Sequence, residues 1–206
     1  MKTINKVIMF TKYKNFMEKY THLNIIEWNL IKSKLTIKKF KKNQIIHHIG
    51  DISSTIMFIN SGLARSYILD ENGKDNTWSI HFNDKNATII NLFIGDYESF
   101  INQTPSQFNI EVLEDCEVVC LDYDDVQFLY DNTKIGNKFG RLIAEEAYTY
   151  LHHSIIIRQT KSAKERFDIF MQNTPYLLDK VPQYHIATFL GITPQHLSRL
   201  KKEYNY

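Results

Sequence analysis

The spacing of apolar residues changes twice along the 206-residue chain, and this change limits the folds that the chain can adopt. Up to about residue 34 the spacing is helical, and Asn24 and Glu27 have the separation of a capping box. From residue 35 to residue 121, short β-rich runs alternate with turn signals. From residue 124 onward the spacing is helical again. This order predicts a sandwich, barrel or jelly roll between helical segments.

The central region contains eight predicted strands and one short predicted helix. Asn60-Ser61-Gly62 and Asp70-Glu71-Asn72-Gly73 are typical of the turns that separate the strands. A brief helix is predicted near residues 96–101. The strands are predicted at residues 35–40, 44–48, 55–60, 63–69, 76–82, 87–92, 108–113 and 117–121.

A long helix without proline is predicted between residues 135 and 158. Its small and apolar residues recur at alternating intervals of three and four, which is the spacing of a helix that packs along another helix. We interpret this stripe as the seam of a homodimer; the alternative is a helix that packs only on its own domain. The predicted seam residues are Ile143, Ala147, Tyr150, Ser154 and Ile157.

The near-neutral net charge of +2 hides an uneven distribution along the chain. Residues 1–49 carry +9, residues 50–157 carry −11 and residues 158–206 carry +4. Such asymmetry is typical of a protein with one end that faces a polyanion. The sequence contains no apolar run long enough for a membrane span and no secretory signal. It has only two cysteines, Cys116 and Cys120, so we expect a cytoplasmic protein.

Residues 183–202 meet the requirements of a helix-turn-helix unit. Ala187 is small enough for two helices to cross closely, and Gly191 tolerates the positive φ of a tight turn. Thr193 is suited to cap the second helix, and Pro194 is suited to its first position. The apolar positions that would face a small core are Ile186, Leu190, Ile192, Leu197 and Leu200.

The second predicted helix has one polar face and one apolar face. On a helical wheel Gln195, Ser198, Arg199 and Lys202 fall within about 100° of one another. Leu197, Leu200 and Tyr204 lie on the other side. This division suits a helix that enters the major groove of DNA, whereas the alternative is an αα-hairpin with a solvated outer face.

The motif in residues 186–200 resembles the recognition motif of the Crp/Fnr superfamily of bacterial transcription regulators. Residues 39–51 and 57–62 are similar to the strand and turn signatures of that family's sensor. The resemblance implies an α+β chain with a double-stranded β-roll sensor, a long dimerisation helix and a small C-terminal helix-turn-helix domain. It places a cyclic-nucleotide-binding-like domain at residues 1–132, the dimerisation helix at 133–158 and the DNA-binding domain at 162–206.

The resemblance also assigns DNA contacts. Base contacts fall on Gln195, Ser198 and Arg199; arginine suits guanine and glutamine suits adenine. Backbone contacts are expected from Thr193, His196, Lys201 and Lys202. The expected partners are a palindromic double-stranded operator and a second copy of the chain. The basic N-terminal segment is a solvated face or a contact to DNA or RNA polymerase.

An effector site is expected where cyclic-nucleotide-binding relatives carry a phosphate cassette. Gly95 and Asp96 match the start of the cassette, and Ser106 and Gln107 stand where those relatives have an arginine and a serine or threonine. No arginine occurs between Ser66 and Gly140 to pair with a buried phosphate. We therefore predict that cyclic AMP is not a tight ligand and that any effector is another small molecule.

Two further function classes compete with the DNA-binding regulator. One is a cupin-like metalloenzyme, for which His47, His48 and His81 are the available ligands, although their spacing matches no ligand motif. The other is a sensor module for a cyclic nucleotide or another small ligand, which acts through protein partners. Cys116 and Cys120 are too far apart on one predicted strand to share a metal, so we expect no metal site there. We also expect no enzyme activity, no cofactor and no other metal site.

Overall fold

The computed structural model describes residues 9–204, which begin with two helices, α1 (Thr11–Glu18) and α2 (Ile25–Lys34). Asn24 Oδ1 accepts hydrogen bonds from the backbone N–H groups of Ile26 and Glu27, each at 2.9 Å. Glu27 Oε2 accepts in return from the backbone N–H of Asn24 at 3.2 Å. The predicted capping box is therefore confirmed, and it fixes the first residue of α2.

The β-region forms one antiparallel sheet with the strand order β1-β6-β3-β4, to which β2 and β5 are attached through β6 and β3. Two short helices lie between its strands. The elements are β1 (Thr36–Phe40), β2 (Ile45–His47), β3 (Thr55–Leu69), β4 (Asp75–His81), α3 (Ile89–Leu92), β5 (Phe93–Ile94), α4 (Tyr97–Asn102) and β6 (Asn109–Asp122).

Two long strands, β3 and β6, form a bent ribbon around which the roll is built. They pair from Thr55 with Asp122 to Tyr67 with Asn109, and the register shifts three times between Ile59 and Ala64. The sequence prediction of two strands in each of these regions is wrong. The turn signal Asn60-Ser61-Gly62 marks a bend within one strand, because the ladder resumes beyond it with the same partner strand.

The strand predicted at residues 87–92 is also wrong, because Ile89–Leu92 form a helical turn. Asn91 Oδ1 accepts from the backbone N–H of Thr88 at 2.9 Å and from its hydroxyl at 2.7 Å. Asn91 Nδ2 donates to the carbonyl of Ile80 in β4 at 2.8 Å. These side-chain bonds hold the turn against β4 and outweigh the β-propensity of its isoleucines.

The C-terminal half is helical, and the predicted α+β architecture with a long helix and a small C-terminal helical domain is confirmed. The long helix extends from residue 134 to residue 160, and Ser162 and Glu165 form the predicted capping box of the next helix. Within the described chain, no helix combines the length and apolar character needed to cross a membrane. The elements are α5 (Tyr123–Asn132), α6 (Lys134–Thr160), α7 (Ala163–Asn173), α8 (Leu177–Lys180), α9 (Gln183–Leu190) and α10 (Pro194–Glu203).

Three apolar clusters stabilise the described residues. The first joins α1, α2, α5 and the start of α6 to the roll, and the second fills the interior of the roll. Cys116 and Cys120 belong to the second cluster, and burial raises the pKa of each thiol to about 11. The third cluster joins the outer side of the sheet, at Ile80 and Phe82, to the helices of the C-terminal domain.

The bend in β3 leaves no room for a side chain at Gly62. A Cβ there would lie 2.3 Å from the carbonyl oxygen of Asp115 and 2.7 Å from Cys116 Sγ, and φ is +99°. We predict that Gly62→Ala lowers the free energy of unfolding by about 1–3 kcal/mol more than Gly73→Ala. Gly73 has a similar φ of +74° but nothing within 4 Å of an added Cβ, so it controls for backbone strain alone. Urea unfolding measures both variants, and equal decreases would contradict the close approach.

Candidate DNA interface and effector cavity

The helix-turn-helix unit is formed by α9 and α10, and its turn has the expected backbone geometry. Gly191 has φ +66° and ψ 38°, the left-handed conformation that ends α9. Thr193 Oγ1 accepts from the backbone N–H of His196 at 3.2 Å, and Pro194 occupies the first turn of α10. The predicted turn, cap and helix start are all present in the structure.

The apolar side of the unit is buried as the sequence requires. Ala187 and Leu197 are fully buried where α9 and α10 cross, and Ile186, Leu190 and Leu200 surround them. The Tyr204 ring packs edge-on against Phe167, and its hydroxyl donates to Asp168 of α7. The end of α10 is thus attached to α7, which fixes the direction of the helix.

The polar side of α10 is open. Gln195, Ser198, Arg199 and Lys202 are exposed, and within residues 9–204 none of their side chains makes a hydrogen bond or ion pair. The structure therefore brings the three predicted base-contact residues onto one accessible face. Arginine and glutamine on such a face have the donors and acceptors that read base edges in a major groove.

The residues predicted to contact the DNA backbone differ in exposure. Lys202 is exposed on the open face, whereas His196 and Lys201 are half-buried at its edges. The hydroxyl oxygen of Thr193 accepts from the backbone N–H of His196 to cap α10, and its hydrogen can still be donated to a phosphate. These residues lie at the start and at the last turn of the helix.

Sequence reasoning missed that α9 packs directly on β4 of the sensor. The backbone N–H of Thr77 donates to Thr188 Oγ1 at 3.1 Å, and the two threonine hydroxyl oxygens are also 3.1 Å apart. The Tyr184 hydroxyl donates to the carbonyl of Asp75 at 3.0 Å. The helix-turn-helix unit is therefore hydrogen-bonded to the sensor, and a threonine within an apolar helix was the only local sign of it.

A buried ionic group lies beneath this contact. Arg65 is only 3% exposed; its Nη2 donates to Asp75 Oδ2 at 2.6 Å and its Nε donates to Glu111 Oε2 at 2.9 Å. Asp75 Oδ1 and His185 Nδ1 are buried without a hydrogen-bond partner among the described residues. Burial and the Arg65 charge hold the pKa of His185 below its usual range.

The predicted effector region borders a cavity of about 590 Å³ between the roll and α6. Gly95, Asp96 and Gln107 line it. Ser106 does not line the cavity; its hydroxyl donates to Asp96 Oδ2 at 2.8 Å, while Asp96 Oδ1 accepts from the backbone N–H of Ser99 at 3.2 Å. The structure thus places all four predicted effector residues in one region, but Ser106 contacts the Asp96 carboxylate rather than the cavity.

The metalloenzyme alternative is weakened because one of its candidate ligands has a structural role. His81 is buried in the cavity wall; its Nδ1 donates to the carbonyl of Ile90 at 3.0 Å, and its Nε2 accepts from the Ser66 hydroxyl at 2.7 Å. Burial lowers the pKa of His81 to about 4, so the ring is neutral near pH 7. Within residues 9–204, no three His, Cys, Asp or Glu side chains group as ligands for a metal.

The comparisons with known proteins agree with this architecture. Residues 37–133 match the family model of the cyclic nucleotide-binding domain. FixK2 from Bradyrhizobium japonicum superposes with a TM-score of 0.65 and 16% identity over 83% of this chain and 84% of that chain. The chain has the fold of the Crp/Fnr structures, and residues 37–133 resemble a cyclic nucleotide-binding domain. The resemblance seen in the sequence is confirmed at the level of domain and fold.

Other structures with the Crp/Fnr fold superpose over most of the chain. A chain from Eubacterium rectale, assigned as a transcriptional regulator of the Crp/Fnr family, gives a TM-score of 0.65 at 18% identity over 89% of this chain and 84% of that chain. A CooA mutant from Carboxydothermus hydrogenoformans gives 0.61 at 17% identity over 90% and 86%. No curated protein sequence matches the chain.

The buried, neutral His81 predicts a specific decrease of stability in acid. The unfolded state takes up a proton near pH 6.5 and the folded state only near pH 4, so stability falls as the pH drops through that window. We expect His81 to account for a decrease of about 2 kcal/mol in the free energy of unfolding between pH 7 and pH 5. Urea unfolding of His81→Gln at both pH values should lack this part of the decrease. The same pH dependence in His81→Gln and in the unchanged protein would contradict it.

Proposed function

We propose that the chain is a sequence-specific DNA-binding transcription regulator that acts as a homodimer. The observation that carries the proposal is the open polar face of α10, on which Gln195, Ser198 and Arg199 are exposed without partners among the described residues. The opposite face of α10 is buried, and both of its ends are fixed by the Thr193 cap and the Tyr204 contact. A rigid helix of this kind presents the same side chains to every groove that it enters.

Charge supports DNA as the partner of this face. Residues 158–206 carry +4 and contain Arg199, Lys201 and Lys202, whereas residues 50–157 carry −11. A phosphate backbone attracts the C-terminal end and is repelled by the acidic residues 50–157. This distribution favours an orientation in which α10 meets DNA and the roll points away.

The DNA proposal predicts different roles for two cations on the same face. Arg199→Ala should relax base preference at one position of each half-site, at a cost of about 1–3 kcal/mol for the preferred base. Lys202→Ala should weaken binding to all sequences alike and lower the salt slope by about one for each phosphate that Lys202 neutralises. Fluorescence anisotropy on a duplex enriched from a random pool, over a salt series, measures both effects.

A matched control removes a cation elsewhere. Lys138 is exposed near the start of α6, far along the chain from α10, so Lys138→Ala should leave base preference unchanged. DNA binding that does not respond to salt, or no binding at about 50 mM salt, would contradict the proposal. So would an Arg199→Ala variant that keeps the full base preference.

The homodimer is proposed to form along α6. Of the predicted seam, Ile143, Ala147 and Tyr150 are half-buried and pack against the core of their own sensor. Apolar side chains on a neighbouring stripe are more exposed: Tyr148 is 71% and Ile155 is 51% accessible. Ala144, Tyr148, Leu151 and Ile155 repeat the spacing of three and four residues, so we extend the proposed interface to this stripe.

The proposed interface predicts the effect of placing charges on it. Tyr148→Glu combined with Ile155→Glu should convert a dimer into a monomer, because four carboxylates would then meet at an apolar surface. Light scattering at micromolar concentration measures the mass. Thr149→Glu combined with His153→Glu adds the same charges to exposed positions on the other side of α6 and should leave the dimer intact. A monomeric parent protein, or equal effects of the two variants, would contradict the interface.

The sensor is proposed to bind cyclic AMP poorly. Among the described residues that line the cavity, the charged side chains are Asp96 and Glu98, both acidic, and the one histidine, His81, is neutral. Both carboxylate oxygens of Asp96 already accept hydrogen bonds from the protein. A cyclic phosphate would therefore enter an apolar cavity without a cation to pair with it.

A further inference from the structure

The cavity wall contains a serine hydroxyl that faces the cavity and has no hydrogen-bond partner among the described residues. Ser79 is 4% exposed and lines the cavity, and among residues 9–204 its hydroxyl makes no hydrogen bond. Its neighbours are paired: the Ser66 hydroxyl donates to His81 Nε2, and His81 Nδ1 donates to the carbonyl of Ile90. The hydroxyl oxygen is accessible from the cavity, so a ligand with a polar group at this point would gain a hydrogen bond that the protein does not supply.

A β-bulge places Ser79 on this wall. Tyr67 of β3 pairs with Thr77, and Ser66 pairs with Ser79, so Trp78 is the extra residue of β4. Thr77 bonds to Thr188 on the outer side of the sheet, whereas Ser79 lines the cavity. Without the bulge, the two side chains would lie on the same face of the strand.

The rest of the wall is apolar and partly aromatic. Aliphatic side chains, several of them from α3, β3 and α6, form much of the wall, and aromatic side chains that include Trp78 and Phe108 add to it. The Trp78 and Phe108 rings lie 5.7 Å apart between centroids and tilted by 54°. A volume of about 590 Å³ lies within the range of small-molecule sites. These features suit a flat ligand with a large apolar surface.

We infer that the cavity binds an uncharged, predominantly apolar small molecule whose single polar group meets the Ser79 hydroxyl. The inference rests on the proposed function for its regulatory meaning, because it names the class of effector for the same sensor. An anion is disfavoured by Asp96 and Glu98 and by the lack of a lysine or arginine among the described lining residues. The binding step itself involves no DNA and is measured without it.

A matched pair of fluorescent probes tests the inference on the full chain. N-phenyl-1-naphthylamine is neutral and apolar and carries one N–H, and 1-anilinonaphthalene-8-sulfonate has the same rings with an added sulfonate. We expect one neutral probe per chain and at least tenfold weaker binding of the sulfonate. Millimolar cyclic AMP should not displace the neutral probe. Equal binding of the two probes, or displacement by micromolar cyclic AMP, would overturn the inference.

Two adjacent substitutions in β3 locate the probe. Ile68 lines the cavity, and Ile68→Trp should fill part of it and weaken the neutral probe at least tenfold. Leu69 is 46% exposed and does not line the cavity, so Leu69→Trp should change binding less than twofold. Equal effects of the two variants would place the probe elsewhere and overturn the inference.

Two further measurements keep the test decisive. Phe108→Trp adds volume at the aromatic wall and replaces Ile68→Trp if circular dichroism shows that the latter does not fold. DNA anisotropy is recorded separately on the same preparations. Probe binding without DNA binding would leave the cavity assignment standing and contradict the proposed function, whereas DNA binding without probe binding would do the reverse.

Discussion

Strand β4 is covered on both faces, and the arrangement of the cavity and the C-terminal domain depends on it. On one side Ser79 and His81 line the cavity, and on the other Ile80 and Phe82 share a core with the C-terminal domain. This follows from the alternation of side chains after Ser79, and the bulge at Trp78 shifts the alternation so that Thr77 also lies on the side of the C-terminal domain. One face of an antiparallel sheet is commonly exposed to solvent, and here the helix-turn-helix unit covers that face at β4.

Burial makes the contact between β4 and α9 costly to break. Separation would leave the N–H of Thr77 without its Thr188 partner and would expose the Ile80 and Phe82 side chains. It would also uncover Arg65, whose charge is balanced by Asp75 and Glu111 beneath the interface. The position of α10 is therefore coupled to the sheet through α9, and a movement of the open face of α10 relative to the sheet would change the environment of β4.

Local signals allowed much of the fold to be predicted, and prediction failed where distant residues decide the structure. The Thr193 cap and the positive φ of Gly191 follow from side-chain chemistry within a few residues. In contrast, Thr77 and Thr188 are 111 residues apart, and no periodicity marks their bond. The continuity of β3 beyond Gly62 likewise depends on the backbone of its partner strand at Asp115. The open face of α10 was predictable because a wheel suffices to separate its two sides, whereas the Ser79 hydroxyl was not, because the bulge that turns it inward has no sequence signature.

The same geometry sets a condition on any effector of the cavity. A ligand changes DNA affinity only if it binds two arrangements of the protein with different free energies. Trp78 connects the cavity to the C-terminal domain. Its side chain lines the cavity, and the Arg158 guanidinium lies 5.8 Å from the centre of its ring. Arg158 Nη2 in turn donates to the carbonyl of Phe189 at 3.3 Å. An apolar ligand that moved the Trp78 ring would therefore act at the end of α9, two residues before Gly191. Coupling of this kind needs no charge on the ligand, which is consistent with a cavity whose polar groups are few and already mostly paired.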